Sequence, residues 1–166
     1  KDGDGIVDQY GLVWNFTEPF FFMPFYTSFG GWVMDKDQNP TLDNAAAVKA
    51  FKFVRDLRDV YGIIPAECDY DIADSKFNTG SAAMLINGAW SWAKYRQSPA
   101  VDFGLAVLPI NAETGLYPAP MIATKGYFLN PYLKGERLKQ VVALMKFLTG
   151  PEAQFKYASR LATIPT

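Results

Sequence analysis

The sequence predicts a mixed α/β fold with more helix than strand. Two observations carry this. Short apolar runs bounded by turn residues have the length and flanks of strands. The clearest is Ala82-Ala83-Met84-Leu85-Ile86, between Gly80 and Asn87-Gly88, which reads as buried on both faces. Longer stretches, residues 43–61 and 136–148, repeat apolar residues at helical spacing with charged residues between them. The 166 residues suffice for one domain of ordinary size, and 49% hydrophobic content supports a packed core.

Composition narrows the function classes. A net charge of -1, with no block of like charges, argues against nucleic acid and acidic membrane surfaces as partners. The sequence has no histidine, which removes the commonest general base and the commonest metal ligand. No cofactor is expected. The single Cys68 forms no internal disulfide, and the apolar runs are too short to span a bilayer.

In chain order, Asp2, Asp4 and Asp8 with Gly5 form an acidic turn that resembles part of a calcium loop. Its first and last ligands are missing, which leaves these three as weak metal candidates. Residues 10–16 are β-prone and aromatic, hence a strand. Thr17 is placed to cap the next helix, with Glu18 and Pro19 in its first turn. Residues 20–29 form a helix apolar on nearly every side, so it is buried or faces something other than water. Phe21 and Phe22 are read as core, and Gly30-Gly31 ends the helix. Residues 32–34 read as a short strand and 35–40 as a polar turn.

Asp43 is the expected cap of a long helix to Tyr61, with Ala47, Ala50, Phe51, Val54, Leu57 and Tyr61 on one face; Gly62 stops it. Residues 69–78 form the next helix, with Asp69, Asp71 and Asp74 in its dipole-favoured first half. Gly80 supplies the left-handed residue after it. Trp90 and Trp92 follow the turn at the carboxyl end of the 82–86 strand, where open α/β sheets bind ligands. Residues 90–96 then read as helix, 103–108 and 122–129 as strands, and 136–148 and 152–160 as helices. Gly126, within the second of those strands, permits close backbone approach.

The segment Phe77-Asn78-Thr79-Gly80-Ser81-Ala82-Ala83-Met84-Leu85-Ile86-Asn87-Gly88-Ala89-Trp90-Ser91-Trp92 resembles the "F..G.AAM...G.W" segment of extracellular solute-binding proteins of carbohydrate ABC transporters. The maltose and maltodextrin binders are the nearest group. The pieces "YGLVWNFTEPFFFMPFYTSFGG", "DNAAAVKAFKFVRDL", "FGLAVLP" and "LMKFLTGPEAQFKYA" agree and come in the same order. The resemblance covers essentially the whole chain and a central part of the family's longer one. It implies a partial periplasmic-binding-protein-like class II fold: residues 1–120 from most of the second lobe, and 121–166 crossing back into the first. It also implies binding of a malto-oligosaccharide or related sugar, without chemistry, for uptake through a membrane permease. The location implied is the periplasm or cell exterior, with an export signal or lipoprotein anchor upstream.

The candidate ligand-binding set is Glu18, Phe20, Gly88, Trp90 and Gly126. By resemblance, Glu18 matches an acid that takes sugar hydroxyls. Phe20 matches a stacking ring but lacks the phenol often found there. Trp90 matches a sugar-stacking indole. Trp92, about 200° further round a helix, should face the core. A carbohydrate-active hydrolase is the alternative; it needs two carboxylates flanking one bond, and only Glu18 stands near the aromatic segments. A third reading is a self-associating piece without activity of its own, a homodimer or an exchange of elements between copies. Calorimetry should detect no sub-micromolar Ca²⁺ binding at Asp2, Asp4 and Asp8, because the incomplete ligand set leaves too few oxygens.

Overall fold

The computed structural model describes residues 9–161; Asp2, Asp4 and Asp8 lie outside them. The elements in order are β1 (Tyr10–Val13), α1 (Pro19–Ser28), α2 (Ala45–Asp59), α3 (Tyr70–Asn78), β2 (Ala82–Leu85), a 3₁₀ turn (Ala89–Ser91), α4 (Trp92–Gln97), α5 (Gly135–Leu148) and α6 (Pro151–Leu161). The chain divides into two compact units, Lys1–Asn87 with Ser98–Met121, and Gly88–Gln97 with Ile122–Thr166.

In the first unit, β1 and β2 pair in parallel, with Tyr10 opposite Ala82 and Leu12 opposite Met84. The parallel pairing needs a long crossover, which α1, α2 and α3 supply. Three apolar clusters form the core. Val13, Cys68, Ala73 and Ala82 join the sheet to α3. Trp14, Phe21, Leu57 and Ile64 lie between the start of α1 and the end of α2. Met23, Tyr26, Ala47 and Ala50 lie between α1 and the start of α2.

The helix ends follow their local chemistry, with two corrections. Asp69 Oδ1 accepts from Ile72 N at 2.8 Å and caps α3. Gly62 and Gly80 take positive φ, 61° and 74°, just beyond α2 and α3. Thr17, however, does not cap α1. Glu18 holds the capping position without a side-chain bond, because the Thr17 hydroxyl donates backwards to Asn15 Oδ1 at 2.7 Å. Asp43 does not cap α2 either. Asn44 does, accepting from Ala47 N at 2.9 Å while its amide donates to the Tyr26 hydroxyl at 2.7 Å. The tertiary partner selects the amide over its acidic neighbour, since a carboxylate has no proton to give.

The strands are fewer and less covered than the pattern suggests. On β2, Ala82 is buried but Ala83 is exposed and Met84 is 56% exposed. Burial of both faces requires a layer over each, and two strands do not provide it. Residues 32–34 make a single antiparallel bridge, Met34 to Pro40, around a turn in which Asp35 Oδ1 accepts from Asp37 N and Asn39 N. Residues 103–108 and 122–129 form no strand, and Phe128 is 94% exposed. Alternation alone does not make a strand; its N–H and C=O groups also need a neighbouring ladder.

On α2, Ala47, Ala50 and Leu57 are buried and Val54 is half-buried, but Phe51 and Tyr61 are exposed. In the second unit the predicted stripe of α5 holds. Leu138, Val141, Val142, Met145 and Leu148 are its half-buried residues, and none is fully enclosed.

Among the described glycines of the first unit, Gly31 is the most crowded. A Cβ there would stand 2.0 Å from the Tyr26 ring, which is 1% exposed. Gly31→Ala should therefore destabilise by about 1–3 kcal/mol through overpacking. Gly126→Ala, whose Cβ would meet nothing within 4 Å, should leave the thermal midpoint unchanged. Calorimetric melts of both variants check this.

Candidate functional site

The first group of candidate residues stands where β1 leads into α1. Trp14 and Asn15 are both 2% exposed, and Phe16 N donates to Cys68 O at 2.7 Å, which ties the end of the strand to the lead-in of α3. Asn15 Oδ1 then accepts from both Thr17 N, at 2.9 Å, and Thr17 Oγ1, at 2.7 Å. This side-chain-closed turn reverses the chain and delivers Glu18 to the capping position of α1. The Glu18 side chain is exposed, and its carbonyl accepts from Phe21 N at 3.1 Å. Phe20 is half-buried, with its ring centroid 5.2 Å from that of Phe21 in an edge-to-face pair. The acid and the partly open ring thus share the start of α1.

Phe21 is core, as its position in an apolar helix suggests. Phe22 is half-buried and stacks on Phe51 of α2 at 4.3 Å. Asn15 is the residue that sequence reasoning missed. Its signal is an amide set inside an apolar run, Val13-Trp14-Asn15-Phe16, with a threonine two positions on.

The second group lies in the second unit. Gly88 precedes the 3₁₀ turn, and its carbonyl accepts from Ser91 N at 3.2 Å and Ser91 Oγ at 2.8 Å. Trp90 sits inside that turn, 49% exposed. Trp92 opens α4 and is half-buried, not fully enclosed, while Tyr95 takes the buried position of that helix. The tighter 3₁₀ turn around Trp90 changes the angle between the two indoles from the α-helical value. Gly126 lies in a segment without regular structure, so no protein neighbour requires a glycine there.

The remaining candidates for chemistry are engaged elsewhere. Asp69 caps α3, and Asp74 is buried and accepts from Asn78 Nδ2 at 3.4 Å. Burial pushes the Cys68 thiol up, away from the nucleophilic thiolate. Among the described residues no cluster of three or more metal-ligating side chains occurs. A shallow cavity of about 170 Å³ between α5 and α6 is lined by Phe147, Leu148, Ala153 and Tyr157. Its two charges, Glu152 and Lys156, pair with each other at 2.7 Å.

The family described as "Bacterial extracellular solute-binding protein" matches residues 4–166. The chain is 28% identical to the maltotriose-binding protein of Pyrococcus abyssi, over 95% of this chain and 34% of that protein. It is 27% identical to the galactooligosaccharide-binding protein of Bacillus subtilis, over 87% of this chain and 36% of that one. Among solved structures, the maltose/maltodextrin-binding domain from Bdellovibrio bacteriovorus, bound to maltotriose, is 45% identical with a TM-score of 0.85. That match covers 98% of this chain and 43% of the solved one. The chain thus spans about a third of the curated relatives it matches. The fold is part of the class II periplasmic-binding-protein architecture.

The Asn15 turn can be tested by itself. Asn15→Ala removes the acceptor of both bonds and should cost about 1–3 kcal/mol in urea unfolding. Thr17→Val removes only the hydroxyl donor and should cost about half as much.

Proposed function

Because the chain belongs to the bacterial extracellular solute-binding proteins, we propose that it is the central part of the sugar-binding component of an ABC importer. Its ligand is a malto-oligosaccharide or a closely related sugar. The observation that carries this is Trp90. A half-exposed indole held in a short, hydrogen-bonded turn directly after a strand is suited to the flat, partly apolar face of a pyranose ring. In the first unit, the resemblance makes Glu18 a candidate acceptor for sugar hydroxyls and Phe20 a candidate stacking ring. Gly126 is a candidate for a backbone contact. Sugars bound by the relatives, maltotriose and galactooligosaccharide among them, support the ligand class.

The activity is binding without chemistry. Hydrolysis needs a second carboxylate beside the first, and Asp69 and Asp74 are committed to α3. Residues 1–120 are assigned to the second lobe of the whole protein and 121–166 to the first. A boundary after Met121 between the compact units supports this, although Gly88–Gln97 groups with the later residues. Closure of the whole protein's two lobes buries the sugar and presents the loaded form to the permease. The setting is the periplasm or the cell exterior, with a lipid anchor one way of holding the protein there. Expressed alone, this chain should self-associate, because the uncovered face of β2 and the exposed apolar residues of 122–129 offer pairing surfaces.

The test uses the full-length protein that contains this chain. Titration with maltotriose should change tryptophan fluorescence saturably, and turnover of an aryl maltoside would overturn the assignment. Trp90→Ala should weaken maltotriose binding by about 1–3 kcal/mol, on the scale of ring stacking, and leave the melting temperature nearly unchanged. Unaltered affinity in that variant would remove Trp90 from the site.

A further inference from the structure

We propose that Gly88 is the seat of the Trp90 ring, a positioning residue that fixes the indole before sugar arrives; the inference rests on the reading of Trp90 as the stacking residue. Gly88 has φ -93° and ψ 167°, an extended conformation open to any amino acid. The turn therefore does not require glycine for its backbone. What requires it is space. A Cβ on Gly88 would stand 2.0 Å from Trp90 Cζ3, 2.2 Å from Cη2 and 2.3 Å from Cε3. Those atoms form the benzo edge of the indole, so the ring lies directly on the Gly88 backbone.

The only comparable crowding among the described glycines is at Gly31, under Tyr26. There the ring is core, 1% exposed; here it is 49% exposed. Close packing of a ring that stays half open to solvent does not close a core. It holds an exposed surface in one orientation. The seat is itself pinned, since the Gly88 carbonyl accepts from both Ser91 N and Ser91 Oγ. A seated indole has already lost the rotamer freedom that a mobile one would give up on binding, which favours affinity without adding any contact to the ligand.

The experiment is a double-mutant cycle in the full-length protein with maltotriose, together with ¹⁹F spectra of the 5-fluorotryptophan-labelled protein in which Trp90→Phe identifies the Trp90 resonance. Gly88→Ala should shift that resonance, leave the melting temperature unchanged, and weaken maltotriose binding about tenfold. In the Trp90→Ala background, Gly88→Ala should have no further effect on affinity. An unmoved resonance in Gly88→Ala overturns the seat. Losses that add in the double variant also overturn it, by showing that Gly88 contacts the sugar itself. Normal binding by Trp90→Ala alongside a shifted resonance overturns the stacking role but upholds the seat.

Discussion

The first unit depends on the hydroxyl of Tyr26. Its ring is enclosed between α1 and α2 and lies against Gly31. Its single proton is shared between Trp32 O at 3.0 Å and Thr41 O at 2.8 Å, and its oxygen accepts from Asn44 Nδ2 at 2.7 Å. One buried group therefore joins the end of α1, the 32–41 turn and the cap of α2. A buried hydroxyl left without these partners would be costly, so the chain meets all of the conditions together or none of them. The far end of α1 is secured similarly. Ala119 N donates to Thr27 Oγ1 at 2.8 Å, and Thr114 Oγ1 donates to Ser28 O at 2.6 Å, which lays the 111–119 loop over the helix terminus.

These anchors explain how Glu18 and Phe20 remain available at the other end of α1. Pro19 begins the helix, and Pro24 inside it has no N–H to give the preceding turn, so α1 is a poor helix by propensity. Packing compensates, through Phe21 and Met23 below and the Asn15 turn before it. These contacts hold the helix, and its first turn carries an exposed acid and a ring that packs on Phe21 while staying partly open. Trp90 obeys the same logic on a smaller scale. The turn is held by Ser91 and the ring by the Gly88 backbone, and the remaining ring surface faces solvent.

The candidate surfaces expose the Trp90 indole in one unit and the acid Glu18 beside the partly open Phe20 ring in the other. The sequence has no histidine, and the ion pairs Lys52–Asp56 and Lys156–Glu152 hold one helix turn to the next. The segments 103–108 and 122–129 carry exposed apolar side chains but have no ladder. Their exposure fits a chain that spans only about a third of the relatives it matches.

The sequence by itself determined the helices, their stops and the class of fold. Helical periodicity and glycine conformation act over a few residues, so α2, α3, α5 and α6, and the stops at Gly62 and Gly80, were legible without any partner. It also singled out Glu18, Phe20, Gly88, Trp90 and Gly126 as candidates. Tertiary structure decided the rest. Asn44 rather than Asp43 caps α2 because Tyr26 lies in reach, and Thr17 turns back because Asn15 is buried beside it. Tyr95 rather than Trp92 is enclosed because a 3₁₀ turn precedes α4. Residues 103–108 and 122–129 are not strands because a strand, unlike a helix, takes its hydrogen bonds from residues distant in sequence. The place of glycine at position 88 was visible in the sequence, but its reason was not, since only the folded chain brings the indole down onto it.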